Sequence, residues 1–244
     1  MTSVAAENRV VQGLWIGADL SKMEQLSITS FLQNGHEYHL YVYDNVLNVP
    51  AGTVVKNASD ILPRSSIFQY KHTPSYAGFA NFFRYKLLLE RGGWWTDTDV
   101  VCLRSLDFVD EYVFATEIFR HVEVATSCII KAPAGSDVMA HCWKVCQAKD
   151  TASLRWGETG PGLMAEAVRE FSLQRYLRPA YIFCPVRYQD WNTVLEPASF
   201  DQLNLNCYTL HLWNEKWREA GQDKNDIYPS TCIYEQLKRR YFLH

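Results

Sequence analysis

The sequence predicts an α/β fold whose central sheet is mostly parallel and flanked by helices. Three observations predict it. Val10 to Tyr43 has the pattern strand, helix, strand, and such units place their strands in parallel with a right-handed crossover. A long amphipathic helix from Ser75 to Arg91 stops at Gly92-Gly93 and is followed at once by an apolar, aromatic run. The chain has 244 residues, 48% of them hydrophobic and 21% charged, a globular balance with material for a sizeable core.

Taken in order, Val10 to Gly17 is a first strand ending at a glycine. Ser21 and Glu24 form a capping box that opens a helix; Met23, Leu26, Phe31 and Leu32 are its buried face, and Gly35 stops it. His36 to Tyr43 alternates as a second strand and ends in the turn signal Asp44-Asn45. In open α/β sheets ligands sit at the carboxyl ends of strands, and Trp15 and Asp44-Asn45 fall at such ends. Thr53 to Val55 is a short strand, and Asn57 to Tyr70 is irregular. Ser75 caps the long helix, on which Asn81, Arg84 and Leu88 share one face. Arg84 stands among Phe82, Phe83 and Tyr85, so it is either a core ion pair or a functional cation.

Gly92 and Gly93 can take the positive-φ conformation that ends a helix and starts a turn. Trp94 to Leu103 is rich in aromatic and β-branched residues, as strands are. On one continuous strand Asp97 and Asp99 would point the same way and Thr98 the other. With 13 Asp in 244 residues, chance gives about 0.7 Asp-x-Asp triplets, so the triplet alone says little. Its setting says more, because an apolar strand has little reason to carry two same-facing acids unless they are used. Two such carboxylates repel, and one stays protonated unless a cation binds. A hard divalent ion, Mg²⁺ or Mn²⁺, would remove the conflict and could hold a substrate phosphate.

Beyond Asp99 the pattern predicts a strand pair or hairpin (Val100 to Leu103 with Tyr112 to Thr116), a strand from Thr126 to Lys131, and a helix from Ser136 to about Lys149. A Trp156-Gly157-Glu158-Thr159-Gly160-Pro161-Gly162 loop leads into a helix reaching about Leu173, with Pro161 near its start, where it is tolerated. Tyr181 to Phe183 is a short strand, Tyr208 to Trp213 a last apolar strand carrying His211, Asn214 to Tyr228 a loop, and Thr231 to Phe242 a terminal helix with a basic end.

A net charge of −3 gives no basic footprint for nucleic acid. No apolar run is long enough to span a bilayer and no signal peptide leads the chain, which predicts a protein without a transmembrane segment. Seven Cys without a C-x-x-C pair point to a reducing, cytoplasmic compartment.

Five stretches carry a resemblance: Leu14-Trp15-Ile16-Gly17, Tyr43-Asp44-Asn45, Ala80-Asn81-Phe82-Phe83-Arg84-Tyr85, Gly92-Gly93-Trp94-Trp95-Thr96-Asp97-Thr98-Asp99 and His211-Leu212-Trp213-Asn214. In this order they resemble retaining glycosyltransferases with a DXD motif, glycosyltransferase family 32. Its relatives include α-1,4-galactosyltransferases, yeast α-mannosyltransferases and capsular polysaccharide enzymes, with the glucosyltransferase domains of clostridial toxins as distant cousins. The resemblance spans about Val10 to Trp213.

It implies a GT-A fold over the whole chain: a Rossmann-like nucleotide-sugar half (about 10–103), an acceptor-side half with a smaller antiparallel part (about 104–213), and a C-terminal loop and helix (214–244). It implies a hexosyltransferase that uses Mn²⁺ (or Mg²⁺) and a nucleotide sugar, a UDP-sugar by preference. The acceptor would be a saccharide or glycolipid in surface polysaccharide synthesis, reached through peripheral membrane contact where it is lipid-linked. Carried over by position, Asp97, Asp99 and Arg84 would be catalytic, and Asp99, Asp97 and His211 would hold the metal. Trp15, Asn45, Asn81 and Trp213 would bind the donor. The family usually has Ser-Asp-x-x-Arg where this chain has Ala80-Asn81-x-x-Arg84. That departure points to a different donor sugar, weaker catalysis or a lost activity. Under the resemblance Glu158 is either an acceptor-side or sugar-side residue or a solvated loop acid, and Trp143, Trp156, Trp191 and Trp217 are packing or an acceptor platform. The alternatives are a metal-dependent phosphohydrolase of nucleotide sugars and a catalytically weakened nucleotide-sugar-binding protein.

Overall fold

A computed structural model describes residues 9–197 and 207–242. Its main sheet has seven strands in the order β3-β2-β1-β4-β7-β6-β8. These are β1 (Val10–Trp15), β2 (Glu37–Val42), β3 (Val54–Asn57), β4 (Gly93–Thr96), β6 (Val113–Phe119), β7 (Val122–Ala132) and β8 (Leu177–Arg178). β1, β2, β3 and β4 are parallel, β7 runs against both its neighbours, and β8 is parallel to β6. A separate antiparallel pair joins β5 (Val100–Cys102) to β9 (Thr209–His211). This is the α/β arrangement expected: a mostly parallel sheet flanked by helices, with a small antiparallel part.

The helices are α1 (Lys22–Gln33), α2 (Ala77–Arg91), α3 (Asp137–Gln147), α4 (Pro161–Glu170), the single turn α5 (Ala180–Phe183), α6 (Asn214–Ala220) and α7 (Ile233–Phe242). One apolar cluster joins α2, α3 and α4 through Phe83, Leu87, Val138, Met139, Leu163 and Met164. Another joins Ile28 and Phe31 of α1 to Tyr38, Leu40 and Trp94. Central strands enclosed in this way read as apolar runs in the sequence. α7 docks near the end of α1, where the Tyr241 hydroxyl donates to the Cys102 carbonyl (2.6 Å) and Gln33 donates to the Tyr241 carbonyl (2.9 Å). All seven Cys are buried free thiols. No helix among the described residues is long and apolar enough to cross a membrane.

Local signals of the first half are realised closely. The Ser21–Glu24 capping box is formed. Gly92 (φ +63°) and Gly93 (φ +85°) make the turn from α2 into β4. A side chain at Gly92 would also run into the backbone of Pro133 and Ala134. Gly92→Ala should therefore destabilise the fold by about 1–3 kcal/mol, the cost of a strained φ/ψ, with the backbone clash pushing it to the upper end. Thermal unfolding checks this: a midpoint unchanged within a degree would show that the turn relaxes freely.

Five expectations need correcting. Trp94 to Leu103 is not one strand: it breaks at Asp97–Asp99, and its halves lie in different sheets. Val100 to Leu103 does not pair with Tyr112 to Thr116. It pairs with β9, and the true hairpin is β6–β7, turning at Arg120 (φ +48°) and His121 (φ +65°), the two positive-φ positions of a type I′ turn. Tyr181 to Phe183 is helical, and Asn214 to Ala220 is a helix where a loop was expected. Ser75 stands one residue before the cap of α2, with its hydroxyl accepting from the Ala77 amide.

Candidate active site

The chain leaves β1 through α1 towards β2 and β3, then returns by α2 to β4 on the other side of β1. Strand order reverses there, and ligands of open α/β sheets bind beyond the carboxyl ends at such a switch point. Trp15 ends β1 and Thr96 ends β4, so the Asp97-Thr98-Asp99 turn lies at that crevice. A cavity of about 1230 Å³ opens there, above the usual ligand-pocket range of about 300–1,000 Å³. Asp97, Asp99, Arg84, Trp15 and Trp213 line it.

The two acids are anchored on different frameworks. The Asp97 amide donates to the Cys128 carbonyl of β7 (2.9 Å), while the Leu212 amide donates to the Asp99 carbonyl (2.9 Å) and so extends the β5–β9 pairing. They converge through this break in the strand and not through alternation along it. Ligand atoms of Asp97, Asp99 and His211 lie within 4.8 Å of one another.

Each acid has its own cation. Arg84, only 3% exposed, donates to Asp97 Oδ1 at 2.5 Å. The same oxygen accepts from Trp95 Nε1 at 2.9 Å, and the guanidinium lies 4.9 Å from the Trp95 ring centre. Arg84 also donates to Asn81 Oδ1 (2.5 Å), so its planar fork bridges Asn81 and Asp97. Arg84 is therefore the core ion pair that the sequence allowed, and its partner is the candidate catalytic acid. Asp99 Oδ2 accepts from the Asn214 amide (2.8 Å) at the start of α6 and faces His211 Nε2 at 3.3 Å. The His211 ring lies against Trp213, with centres 3.9 Å apart. Trp213 adopts a left-handed backbone (φ +58°, ψ +52°) and donates from its ring to the Val186 carbonyl (2.9 Å). A non-glycine residue held in that region marks strain that the surrounding structure must impose.

Charge is split unevenly over the pair. Burial raises the Asp97 pKa and the neighbouring Asp99 adds to it, against the pull of Arg84. Burial also acts to raise Asp99, but His211, by charge and hydrogen bond, and the Asn214 amide hold it below the usual carboxylate range. This is the conflict the sequence predicted for two converging acids. Burial disfavours charge on His211, yet Asp99 and Cys128 leave its pKa well above 6.5. The Asp99 carboxylate beside it thus favours the protonated imidazole when no cation is bound.

Two carboxylates and an imidazole form a mixed oxygen–nitrogen set that fits a divalent ion of the Mg²⁺–Mn²⁺ class. Binding at His211 competes with its proton. Apparent cation affinity should therefore rise with pH above 6.5, by about tenfold per pH unit for one displaced proton, and level only above the raised pKa. Calorimetric titration of Mn²⁺ across pH checks this. A flat profile would mean that His211 is not a ligand.

Not every anticipated residue is placed here. Asn81 lines the cavity and is buried. Asn45 is exposed and outside the cavity lining, next to an Asp44–Arg64 ion pair. Glu158 lines the cavity but is committed to Lys149 (2.7 Å) and Arg155. Trp156, 53% exposed, stands at the cavity beside Tyr70, whereas Trp217 is core. Two residues were missed. Glu117 on β6 lines the cavity and is raised in pKa by burial. Thr159 is fully buried and receives the Tyr85 hydroxyl at its carbonyl (2.9 Å), seating its loop on α2. Nothing local marks Glu117. The Gly-Glu-Thr-Gly-Pro spelling was the available signal for Thr159.

Residues 21–116 match the family model described as a glycosyltransferase sugar-binding region containing a DXD motif. Residues 133–242 match the α-1,4-glycosyltransferase conserved region. The first region supplies Asp97, Asp99 and Arg84, the second His211 and Trp213, and all five line the same cavity. Among solved structures, the PaToxG glycosyltransferase aligns with 98% of this chain and 90% of its own, at 13% identity and a TM-score of 0.48. The glycosyltransferase GlyE of Streptococcus pneumoniae TIGR4 aligns with 96% of this chain and 63% of its own, at 11% identity and a TM-score of 0.47. No curated protein matches the chain.

Proposed function

Because this chain is a glycosyltransferase that joins a DXD sugar-binding region to an α-1,4-glycosyltransferase conserved region, we propose that it moves a hexose from a UDP-sugar to a saccharide or glycolipid acceptor. A glycosyltransferase of this type uses a nucleotide-sugar donor, an acceptor and a divalent cation in general. The finer reading is ours: Mn²⁺ in preference to Mg²⁺, since one ligand is an imidazole, retention of configuration, and a role in surface polysaccharide synthesis. Its supporting observation is the convergence of Asp97, Asp99 and His211 at the switch point, over a cavity large enough for donor and acceptor.

In this reading Asp97, Asp99 and His211 hold the cation, which when bound supplies Lewis-acid compensation for charge growing on the leaving diphosphate. Arg84 holds Asp97 in place and lends the same phosphates a charge-assisted donor. Trp15 offers a stacking face for the base. Trp213 fixes the His211 ring and closes the donor side. Asn81 presents a neutral amide where the family's aspartate would sit, which steers the choice of donor hydroxyls. Residues 10–103 are assigned to the donor and 104–213 to the acceptor, although His211 and Trp213 reach across to the donor acids. Seven buried free thiols support a reducing, cytoplasmic setting, with peripheral contact where the acceptor is a lipid.

The test is product analysis with UDP-sugars and Mn²⁺. Release of UDP, with the sugar passed to acceptor or water, is the expected outcome. Sugar 1-phosphate would identify a phosphohydrolase instead. Metal-dependent binding of UDP with no turnover would identify a weakened binding protein.

A further inference from the structure

We propose that Cys128, Cys184 and His211 form a second metal site, selective for a soft or borderline divalent ion such as Zn²⁺, which shares His211 with the Asp97–Asp99 site. Three observations carry this. First, the Cys128 and Cys184 sulfurs are 3.6 Å apart, and they and a His211 nitrogen all lie within 4.8 Å of one another. Two thiolates on a tetrahedral zinc, each at about 2.3 Å, stand about 3.8 Å apart, so the sulfurs already hold the required spacing. The other five Cys join no such group among the described residues.

Second, His211 Nδ1 is buried and makes no hydrogen bond, while Nε2 faces Asp99 Oδ2 at 3.3 Å. A zinc-binding imidazole is two-sided in this way: one nitrogen takes the metal and the other donates to a carboxylate, which fixes the ring and its tautomer. Asp99 occupies the carboxylate's place, which leaves Nδ1 for the ion. Third, Cys128 and His211 both line the cavity, which supplies an entry path for the ion.

Binding would release the two thiol protons, together with the Nδ1 proton of the imidazolium, and move no electrons. Thiolate ligands select zinc over the oxygen-seeking Mg²⁺ and Mn²⁺. With His211 held by zinc, the Asp97–Asp99 site would lose its nitrogen ligand, so zinc would inhibit transfer in competition with Mn²⁺. That consequence rests on the proposed function; the binding does not.

The experiment is a Co²⁺ titration of the Asp97→Asn protein, in which the oxygen-rich site is weakened and the triad kept. One equivalent should produce a thiolate-to-cobalt charge-transfer band, and Zn²⁺ should abolish it. In Cys184→Ser, which leaves Cys128 as the lone thiolate, the band should lose about half its intensity or more and zinc affinity should fall at least about 100-fold. Absence of the band, or an unchanged affinity in Cys184→Ser, would overturn the proposal. Zinc absorption spectroscopy on the unsubstituted protein needs no variant: two sulfurs in the first shell are expected, and a shell of oxygen and nitrogen only would overturn it. Where the proposed transfer is observed, Cys184→Ser should keep it with Mn²⁺ and lose its inhibition by zinc.

Discussion

Asp99→Asn is expected to abolish sugar transfer and donor hydrolysis together while leaving the fold in place. Asn is nearly isosteric and its side-chain oxygen can still accept from the Asn214 amide, which meets Asp99 Oδ2 at 2.8 Å. What is lost is charge. His211 loses the carboxylate facing it at 3.3 Å, and the cation loses a ligand. Activity should fall by about 10²–10³-fold or more, the size of effect seen when one preorganised charge-stabilising group is removed. Mn²⁺ binding should weaken in parallel. The pH dependence carries a sign of its own. Asp99 is held below the ordinary carboxylate pKa of 3.8, so it contributes stability that is present above that value and lost as pH falls through the lowered one. The variant should lack that part of the acid limb. Wild-type turnover in a folded Asp99→Asn protein would end the claim that this pair does the chemistry.

Arg84→Ala should have the largest effect on stability. The guanidinium is almost wholly buried, and its removal leaves Asp97 without a counter-charge, with 29% of that side chain exposed. Breaking a buried pair by deleting one partner costs about 3–5 kcal/mol, and the partial exposure of Asp97 argues for the lower end. At about 2–4 °C per kcal/mol for a chain of this size, the melting midpoint should drop by roughly 6–12 °C. Activity should fall as well, and Arg84→Lys should not restore it, because an ammonium cannot span Asn81 and Asp97 as the planar fork does. The double variant Arg84→Ala with Asp97→Asn separates the two roles. Removing the stranded charge should recover much of the stability but none of the activity. A double variant as unstable as Arg84→Ala alone would mean that packing, not charge, is what Arg84 provides.

The divided state of the acids explains why the cation was implied but its partners were not. A pair of carboxylates past a double glycine is visible along the chain, and so is the need to compensate them. The structure compensates them twice over, with Arg84 from α2 and His211 from β9. Arg84 was already suspect from its apolar neighbours. His211 stood out only through a resemblance, because its place beside Asp99 arises from a pairing between strands more than a hundred residues apart in sequence. Asn45 is the opposite case. Its turn is formed at a strand end, but the Asp44–Arg64 ion pair lies beside it and Asn45 stays outside the cavity lining.

The sequence by itself determined what depends on near neighbours: the β-α-β opening, the capping box at Ser21, the positive-φ stop at Gly92-Gly93, and the chemistry of two adjacent acids. These follow from backbone sterics and short-range hydrogen bonds, which are written in consecutive residues. Long-range folding alone sets Asp97 and Asp99 in a break between two sheets, pairs Val100 with His211, starts at Asn214 a helix whose first amide meets Asp99, and brings Cys128 and Cys184 close to the same imidazole. Each of those joins segments far apart along the chain. Their energies come from burial and from pairings whose partners no local pattern specifies.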